Sequence, residues 1–258
     1  MAVAAITLPR RDLRWFYVWL AAFFAAVALL SFLPTYWAPL VSGRLDGGSP
    51  ALHLHALLFS IWPFLFLAQT WLVATKRIAL HRRLGVAGAL VAFAMLWSGL
   101  WVTASSINVQ SALGYPFQAR AFAIISFTKI VFFAACIALA IANVRKPGVH
   151  KRLMVLAMFP LVQAAIPRVL YVLFAPPGSP QRPGLGEPAS MLVGLPAAVA
   201  VDLLLIAVAF YDRRAHDRVH PVYLVGGLAF VAMQVLRVPA SSTEAWQAFA
   251  TWLATVVS

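Results

Sequence analysis

Seven long apolar stretches follow one another along this chain of 258 residues, and they limit what it can fold into. The bilayer core is about 30 Å thick, so a helix needs roughly 20 mainly apolar residues to cross it. Only 10% of the residues are charged, far less than in a soluble domain. We therefore predict a single-domain, all-α integral membrane bundle of seven transmembrane helices over residues 1–258. The predicted spans are residues 14–34, 51–75, 84–105, 121–144, 152–175, 190–211 and 221–239.

The cations are concentrated in alternate links between these spans. One set of links carries Arg10, Arg11, Arg14, Lys76, Arg77, Arg82, Arg83, Arg145, Lys146, Lys151, Arg152, Arg213, Arg214 and Arg218. The other set carries only Arg44, Arg120 and Arg182, with Arg237 at the end of the seventh span. Because cytoplasmic loops are enriched in Lys and Arg, this asymmetry predicts a cytoplasmic N-terminus and an outer C-terminus, in the bacterial cytoplasmic membrane. The net charge of +13 is explained by this topology, so we expect the lipid bilayer, not nucleic acid, as the partner.

The C-terminal segment is too short to cross a membrane but has the pattern of a surface helix. Ser241 precedes Glu244 by three residues, which is the spacing of a capping box. Four apolar residues then share one helical face: Trp246, Phe249, Leu253 and Val256. We predict a short amphipathic helix that lies on the outer membrane surface or packs on the bundle.

A short motif recurs at the start of three predicted spans. The sequence LHRRLGV (residues 80–86) matches VHKRLMV (149–155), and Val219 and His220 repeat the first two positions of the latter. His81, His150 and His220 are thus 69 and 70 residues apart. This period predicts a repeated helical hairpin of about 70 residues. Each copy would place a histidine at the cytoplasmic edge of a span.

These histidines are candidate ligands for a haem or a metal ion. Neutral imidazole binds haem iron, zinc and copper. If the third and fifth spans face each other, His81 and His150 could be the two axial ligands of one haem b. Four neighbouring cations would then hold the haem propionates: Arg82, Arg83, Lys151 and Arg152.

Two alternatives for the same residues stay open. His81, His150 and His220 together could form a three-histidine site for zinc or copper. Equally, a histidine near a helix start can hydrogen-bond locally, and the adjacent cations can serve only to anchor the inner leaflet.

A second candidate site lies in the outer half of the bundle. His55, Trp62 and Gln69 are seven residues apart and predict a polar and aromatic stripe facing inward on the second span. Lys129, Arg168 and Asp202 interrupt apolar stretches, where charged residues usually face the bundle interior or water.

We expect Asp202 to pair with Lys129 or Arg168. The surplus positive charge would suit a haem propionate, an anionic small molecule or a lipid headgroup entering from outside. Alternatively, the ion pair is purely structural, and the long Arg168 side chain extends to the outer surface.

No catalytic residue or reaction can be assigned. The sequence has no P-loop, GxGxxG, HExxH or GxSxG motif, and one intramembrane carboxylate excludes a paired-carboxylate mechanism. The only cysteine, Cys136, allows neither an intrachain disulfide nor a CxxC metal site. Whether the protein is an enzyme therefore stays open.

The motifs together resemble those of a known group. Residues 52–90, the HKRLM stretch leading to Pro167 and Arg168, and the region from Arg218 to Trp246 are similar to bacterial multi-pass membrane proteins of unknown function. More distantly, the paired histidines resemble b561-type haem-binding bundles. That resemblance implies haem-dependent electron transfer, but with one haem instead of two, because His55 has no obvious histidine partner in the outer half.

Two functions are therefore predicted. The first is a haem- or metal-binding membrane redox protein whose redox partner is unknown. The alternative is a transporter, receptor or lipid-binding protein that uses the outer pocket without a redox cofactor.

Overall fold

The computed structural model describes residues 13–44, 48–174, 188–214 and 218–257. All regular structure in these residues is helical, and seven helices are long and apolar enough to cross a membrane, as the apolar stretches predicted. The first span consists of α1 (Arg14–Phe32), a π-helix (Leu33–Trp37) and α2 (Ala38–Val41). The other six are α3 (Pro50–Ala74), α4 (Ile78–Ala112), α5 (Pro116–Ala142), α6 (Pro147–Phe174), α7 (Leu195–Arg213) and α8 (Pro221–Ala240). A 3₁₀ turn (Met191–Gly194) precedes α7, and α9 (Glu244–Val256) comes after α8.

Proline marks the beginning of most spans. Proline is favoured in the first turn because its missing N–H is not needed there. At α3, Ser49 caps the helix before Pro50 by accepting a hydrogen bond from the Leu52 N–H at 3.2 Å. Proline stands in the first turn of five spans: Pro50, Pro116, Pro147, Pro196 and Pro221.

α4 and the first span extend furthest beyond their predicted bounds. The segment 105–118, expected to be a link, is helical as far as Ala112, so α4 is 35 residues long. The first span continues through its π-helix as far as Val41. The predicted link 175–187, which includes Arg182, lies outside the described residues.

Five spans form a closed ring: α1 packs on α3, α3 on α4, α4 on α5, α5 on α6, and α6 on α1. α7 and α8 pack on α6, which is therefore surrounded by other helices and is the most buried span. We call the end of the bundle at which α1, α4, α6 and α8 begin the basic end, and the opposite one the far end. Large apolar side chains such as Trp19 and Phe93 cover the outer surface of the ring.

Close helix contacts depend on glycine at one point of α8. A Cβ atom added to Gly226 would overlap the Leu156 Cδ2 atom of α6. Since Leu156 is itself buried, the two helices can approach this closely only because position 226 has no side chain.

α9 packs on the far ends of α4 and α5, which decides between the two placements the sequence left open. Trp246 donates to the Arg120 carbonyl at 2.7 Å, and Asn108 donates to the Ala254 carbonyl at 3.0 Å. The helix is capped by Thr243, which accepts from the Trp246 N–H, so the predicted capping role of Ser241 is wrong.

Candidate functional site

His81 and His150 meet at the basic end of the ring. Both are the fourth residue of their helix, α4 and α6 respectively, so the repeated motif places them at matching depths. Their ring centroids are 6.5 Å apart and their planes are nearly perpendicular, at 85°. The Nδ1 atom of His150 lies 2.8 Å from the Ala140 carbonyl, whereas the Nδ1 atom of His81 is buried without a hydrogen-bond partner.

This spacing suits two ligands of one metal ion. Metal–imidazole bonds are about 2 Å long, so two rings on opposite sides of one ion have centroids about 6 Å apart. A ligating histidine usually donates its second ring N–H to an acceptor such as a backbone carbonyl, as the Nδ1 atom of His150 can do toward Ala140. The separation of the two rings is therefore that expected for two ligands on opposite sides of one ion.

The residues expected around this pair are arranged differently. Arg152 was predicted to hold a haem propionate, but it is 1% exposed and forms a salt bridge with Asp212, with Nε–Oδ2 at 2.8 Å and Nη2–Oδ1 at 2.9 Å. Its Nη1 atom donates to the Gly148 carbonyl at 2.6 Å. Lys151 lies over the Tyr17 ring at 4.8 Å. Because Arg152 is held by this carboxylate, its propionate role is a wrong prediction; Arg82 and Arg83 are exposed.

His220 does not complete a three-histidine site. It is the N-cap of α8, where its Nδ1 atom accepts a hydrogen bond from the Val222 N–H at 3.2 Å. Throughout the described residues, no three His, Cys, Asp or Glu side chains lie close enough together to hold a metal ion. The third copy of the motif thus has a local capping role, which the sequence had left open.

Gln69 belongs to the basic end and not to the outer pocket. It lies five residues before the end of α3, and its Nε2 atom is 3.7 Å from the Cβ position of Gly85 on α4. Its Oε1 atom is buried without a hydrogen-bond partner. Placing Gln69 in the outer pocket was therefore wrong, and its backbone lies beside His81 of α4.

Trp62 occupies the middle of the bundle. It is buried, and its Nε1 atom donates to the Met158 sulfur of α6 at 3.3 Å. Its ring packs edge-on against Phe133 of α5 at 5.3 Å. Trp62 thus joins α3, α5 and α6 in an apolar layer between the two ends.

The far half contains a group of cations that we call the cationic cluster: Lys129 of α5, Arg168 of α6 and Arg237 of α8. Lys129 is close enough to both arginines for the charges to interact. Arg168 donates to the Ala164 carbonyl at 2.8 Å, and its guanidinium lies 5.3 Å from the Phe32 ring centroid. Within the described residues, none of the three cations forms an ion pair with a carboxylate.

Arg237 is the most enclosed member of the cationic cluster. Its side chain is 6% exposed, although it lies only three residues before the end of α8. Its Nε and Nη1 atoms are buried and have no hydrogen-bond partner. Sequence reasoning had left this residue at the helix end, where a long cation normally reaches the surface.

Asp202 does not pair with Lys129 or Arg168, contrary to prediction. Its Oδ1 atom accepts a hydrogen bond from Gln234 of α8 at 2.9 Å. Its charge is near that of Arg237, but the two side chains form no salt bridge. Among the described residues, the carboxylate near the cationic cluster is thus already hydrogen-bonded to Gln234.

Two neutral polar side chains also lack partners in this region. His55 stacks on Phe59 with centroids 3.9 Å apart, lies near the charge of Arg168, and has a buried Nδ1 atom with no hydrogen bond. Gln163, one and a half turns before Arg168, is 1% exposed, and neither atom of its amide has a partner. Gln163 was not singled out by sequence reasoning, because a lone glutamine in a span carries no recognisable motif.

Comparison with known proteins found no matching family model and no significant match among curated proteins or solved structures. The fold and site therefore define only a class: a multi-pass, seven-helix membrane bundle with a histidine pair at one end and a cationic cluster toward the other.

Proposed function

We propose that this protein binds an anion in the cationic cluster and acts as a transporter, receptor or lipid-binding protein of the bacterial cytoplasmic membrane. The observation that carries this proposal is Arg237, whose guanidinium is buried while its Nε and Nη1 atoms have no partner. Lys129 and Arg168 supply two further cations near it.

The physical reason is the cost of unpaired charge. A charged side chain at the bilayer centre costs at least about 2.5–3.5 kcal/mol on insertion scales, and such residues normally pair or face a cavity. The charge of Lys129 adds repulsion with each of the two arginines to this cost. An anion that accepts hydrogen bonds from Arg237 and Lys129 removes both penalties.

The direction of access is indicated by the charge distribution. The excess of Lys and Arg at the basic end supports a cytoplasmic location for that end. The cationic cluster lies toward the far end, so its ligand enters from outside the cell or from the outer leaflet. Phe32, beside Arg168, and the apolar outer surface of the ring are compatible with a ligand that has an apolar part.

The experiment is a thermal unfolding series of the purified protein in detergent at low ionic strength, with inorganic phosphate, sulfate, chloride and acetate added separately. A bound anion raises the Tm in a saturable way, because a ligand of the folded state stabilises it. We expect at least one anion to do so. Arg237→Gln should remove this stabilisation.

Arg44→Gln is the matched control, since it also removes one arginine charge on the far side but from an exposed residue. It should leave the anion effect unchanged. The proposal is wrong if no anion raises the Tm of the parent protein, or if Arg44→Gln and Arg237→Gln reduce the effect equally.

A second candidate function rests on the histidine pair: haem- or metal-dependent electron transfer. The supporting observation is the 6.5 Å separation of the His81 and His150 rings, together with the Ala140 carbonyl beside His150. When bound, a haem b or a copper ion would supply one-electron chemistry. A zinc ion would be redox-inert, and the site would then be structural or catalytic. The resemblance to b561-type bundles also supports this candidate.

Its test is the absorption spectrum and metal content of protein purified after growth with haem precursor, then of protein titrated with haem, Zn²⁺ or Cu²⁺. Binding that is lost in both His81→Ala and His150→Ala, but kept in His53→Ala, supports the candidate. His53 is a suitable control because it is hydrogen-bonded to Tyr36 near the far end, away from the histidine pair. Absence of a haem band and of stoichiometric metal in every preparation would exclude it.

A further inference from the structure

We infer that a groove between α1 and α3 binds one acyl chain of an anionic phospholipid from the leaflet at the basic end. No residue of this groove belongs to the cationic cluster, so the inference goes beyond the proposed function and does not depend on it. It is carried by the volume and depth of the groove and by the cations beside its basic end.

The groove is a space of about 500 Å³ on the outer surface of the ring. This volume is within the range of about 300–1,000 Å³ that is usual for small-ligand sites. The side chains that line it are apolar or aromatic and include Trp15, Trp19 and Ala22 of α1 and Phe64, Ala68 and Trp71 of α3. Because positions 22 and 68 are alanine, space remains between large neighbours such as Trp19, which is 73% exposed.

The depth of the groove corresponds to one leaflet. Trp15 is the second residue of α1, Trp71 lies three residues before the end of α3, and their rings pack edge-on with centroids 5.5 Å apart. The two tryptophans therefore meet at the basic end of the groove. From Trp15 to Ala22, and from Phe64 to Trp71, each helix rises about 10 Å. Half of the bilayer core is about 15 Å thick, so the groove lies within the half of the bilayer at the basic end.

This depth favours an acyl chain over a transmembrane helix of a partner, which would need contact across the whole core of about 30 Å. Phe64, which is 47% exposed, also lines a second groove toward the far end, together with Trp37 and Ile61. Since this large side chain stands between the two grooves, neither of them offers a continuous surface from one end of the bundle to the other.

The cations at the basic end of the groove indicate the headgroup. Arg14 is adjacent to Trp15, and Lys76 and Arg77 follow the end of α3, beyond Trp71; all three cations are exposed. α1 and α3 themselves contain no Asp or Glu. Lys and Arg beside a membrane attract anionic lipid headgroups. Tryptophan at this depth suits the same ligand, because its ring packs among acyl chains and its N–H remains near the headgroups.

The experiment measures lipid binding by native mass spectrometry of the full-length protein in detergent. The protein is titrated with phosphatidylglycerol or phosphatidylcholine that have identical acyl chains, so that only the headgroup charge differs. We expect phosphatidylglycerol to bind at least about fivefold more tightly. Equal affinities, or tighter binding of phosphatidylcholine, would overturn the inference.

Ala68→Phe tests the groove itself, because the larger side chain fills it. The affinity for phosphatidylglycerol should fall at least about tenfold. Ala22→Phe fills the groove from the other helix and should have the same effect, so the result does not depend on one variant. The matched control is Ala135→Phe, at an exposed alanine of α5, across the five-helix ring from the edge formed by α1 and α3. It should leave the affinity unchanged.

The inference is wrong if the two groove variants, shown to be folded by circular dichroism, bind phosphatidylglycerol as tightly as the parent protein. It is also wrong if Ala135→Phe weakens binding to the same extent.

The double variant Lys76→Gln with Arg77→Gln tests the headgroup contact. The preference for phosphatidylglycerol over phosphatidylcholine should fall to about twofold or less. Arg145→Gln with Lys146→Gln is the control, since it removes one arginine and one lysine from the exposed turn between α5 and α6 at the same end. It should keep the preference of the parent protein. An equal fall in both double variants would show that the overall charge of the basic end, and not this groove, attracts the lipid.

A second copy of the chain is the rival occupant of the groove. A parent protein that is dimeric in the same spectra, and monomeric as Ala68→Phe, would identify a protein interface and overturn the inference. Arg237→Gln separates this inference from the proposed function, because it should remove the anion effect on the Tm but leave the affinity for phosphatidylglycerol unchanged. A loss of phosphatidylglycerol binding in Arg237→Gln would place the lipid at the cationic cluster and contradict the groove.

Discussion

Arg152 and Asp212, sixty residues apart, form a two-pronged salt bridge closed off from solvent at the basic end of the bundle. Their side chains are 1% and 0% exposed. The bridge joins α6 to α7, and Tyr17 of α1 adds a hydrogen bond to Asp212 Oδ1 at 2.7 Å. Three spans are thus joined at one carboxylate.

Asp212→Ala should destabilise the protein by about 3–5 kcal/mol, because it leaves the buried Arg152 charge without its carboxylate. The measurement is chemical or thermal unfolding in detergent, monitored by circular dichroism. The double variant Arg152→Met with Asp212→Ala is the control, since it removes both charges. We expect it to be more stable than Asp212→Ala alone. A double variant as unstable as the sum of the two single variants would contradict the pairing.

Tyr17→Phe should lower the free energy of unfolding by about 1.5–3 kcal/mol, the range for a hydrogen bond to a charged group. Tyr223→Phe is the matched control in the same region, since the Tyr223 hydroxyl is buried near Tyr17 but forms no hydrogen bond with the Asp212 carboxylate. Tyr223→Phe should change the free energy of unfolding only slightly, or raise it. If both variants lose the same stability in the same unfolding assay, the Tyr17–Asp212 bond is not what stabilises this end.

Gly226→Ala should destabilise the packing of α8 on α6 by about 1–3 kcal/mol, the usual cost of overpacking. The added methyl group would overlap the Leu156 Cδ2 atom, so Leu156 must move. Gly88→Ala is the control within another span, where the same methyl group would meet the Leu65 side chain at an ordinary 3.6 Å. It should be neutral or stabilising by up to about 1 kcal/mol. Equal unfolding midpoints for the two variants would contradict the close α6–α8 contact.

Lys129→Met should raise the stability of the ligand-free protein by about 2 kcal/mol, because it removes a charge from the bilayer interior and its repulsion with Arg168 and Arg237. The same variant should weaken anion binding. A variant that is more stable but binds the anion less tightly is expected when a residue serves binding at a cost in stability. Unfolding is measured without and with phosphate; a variant that is less stable in both conditions indicates a structural lysine.

The positions of the spans were predictable because they depend on apolar length alone, and all seven appear. Depth within a span was harder to predict. His55 and Gln69 share a helical face, but fourteen residues of helix separate them by about 21 Å, so one stripe reaches both ends of the bundle. This is why Gln69 lies beside α4 at the basic end and His55 lies in the far half.

The surroundings of charged residues at helix ends were also difficult to predict. Asp212 lies between Tyr211 and the arginines at 213 and 214, a position that looks like a solvated loop, yet α7 turns its carboxylate inward to Arg152. Arg237 is near the end of α8 but is enclosed by neighbouring helices. Which side of a helix faces the bundle depends on tertiary packing, and hydropathy in a uniformly apolar helix does not specify it.

The most direct measurement of the central claim is the anomalous difference density of selenate in crystals of the protein soaked at low ionic strength. Selenate is a tetrahedral dianion with a strong anomalous signal, so its position is determined independently of the refined side chains. Anion binding at the cationic cluster predicts a peak within hydrogen-bond distance of Arg237 and Lys129 in the parent protein, and no peak in Arg237→Gln. Ordered side chains at Lys129, Arg168 and Arg237 with no peak between them would contradict it.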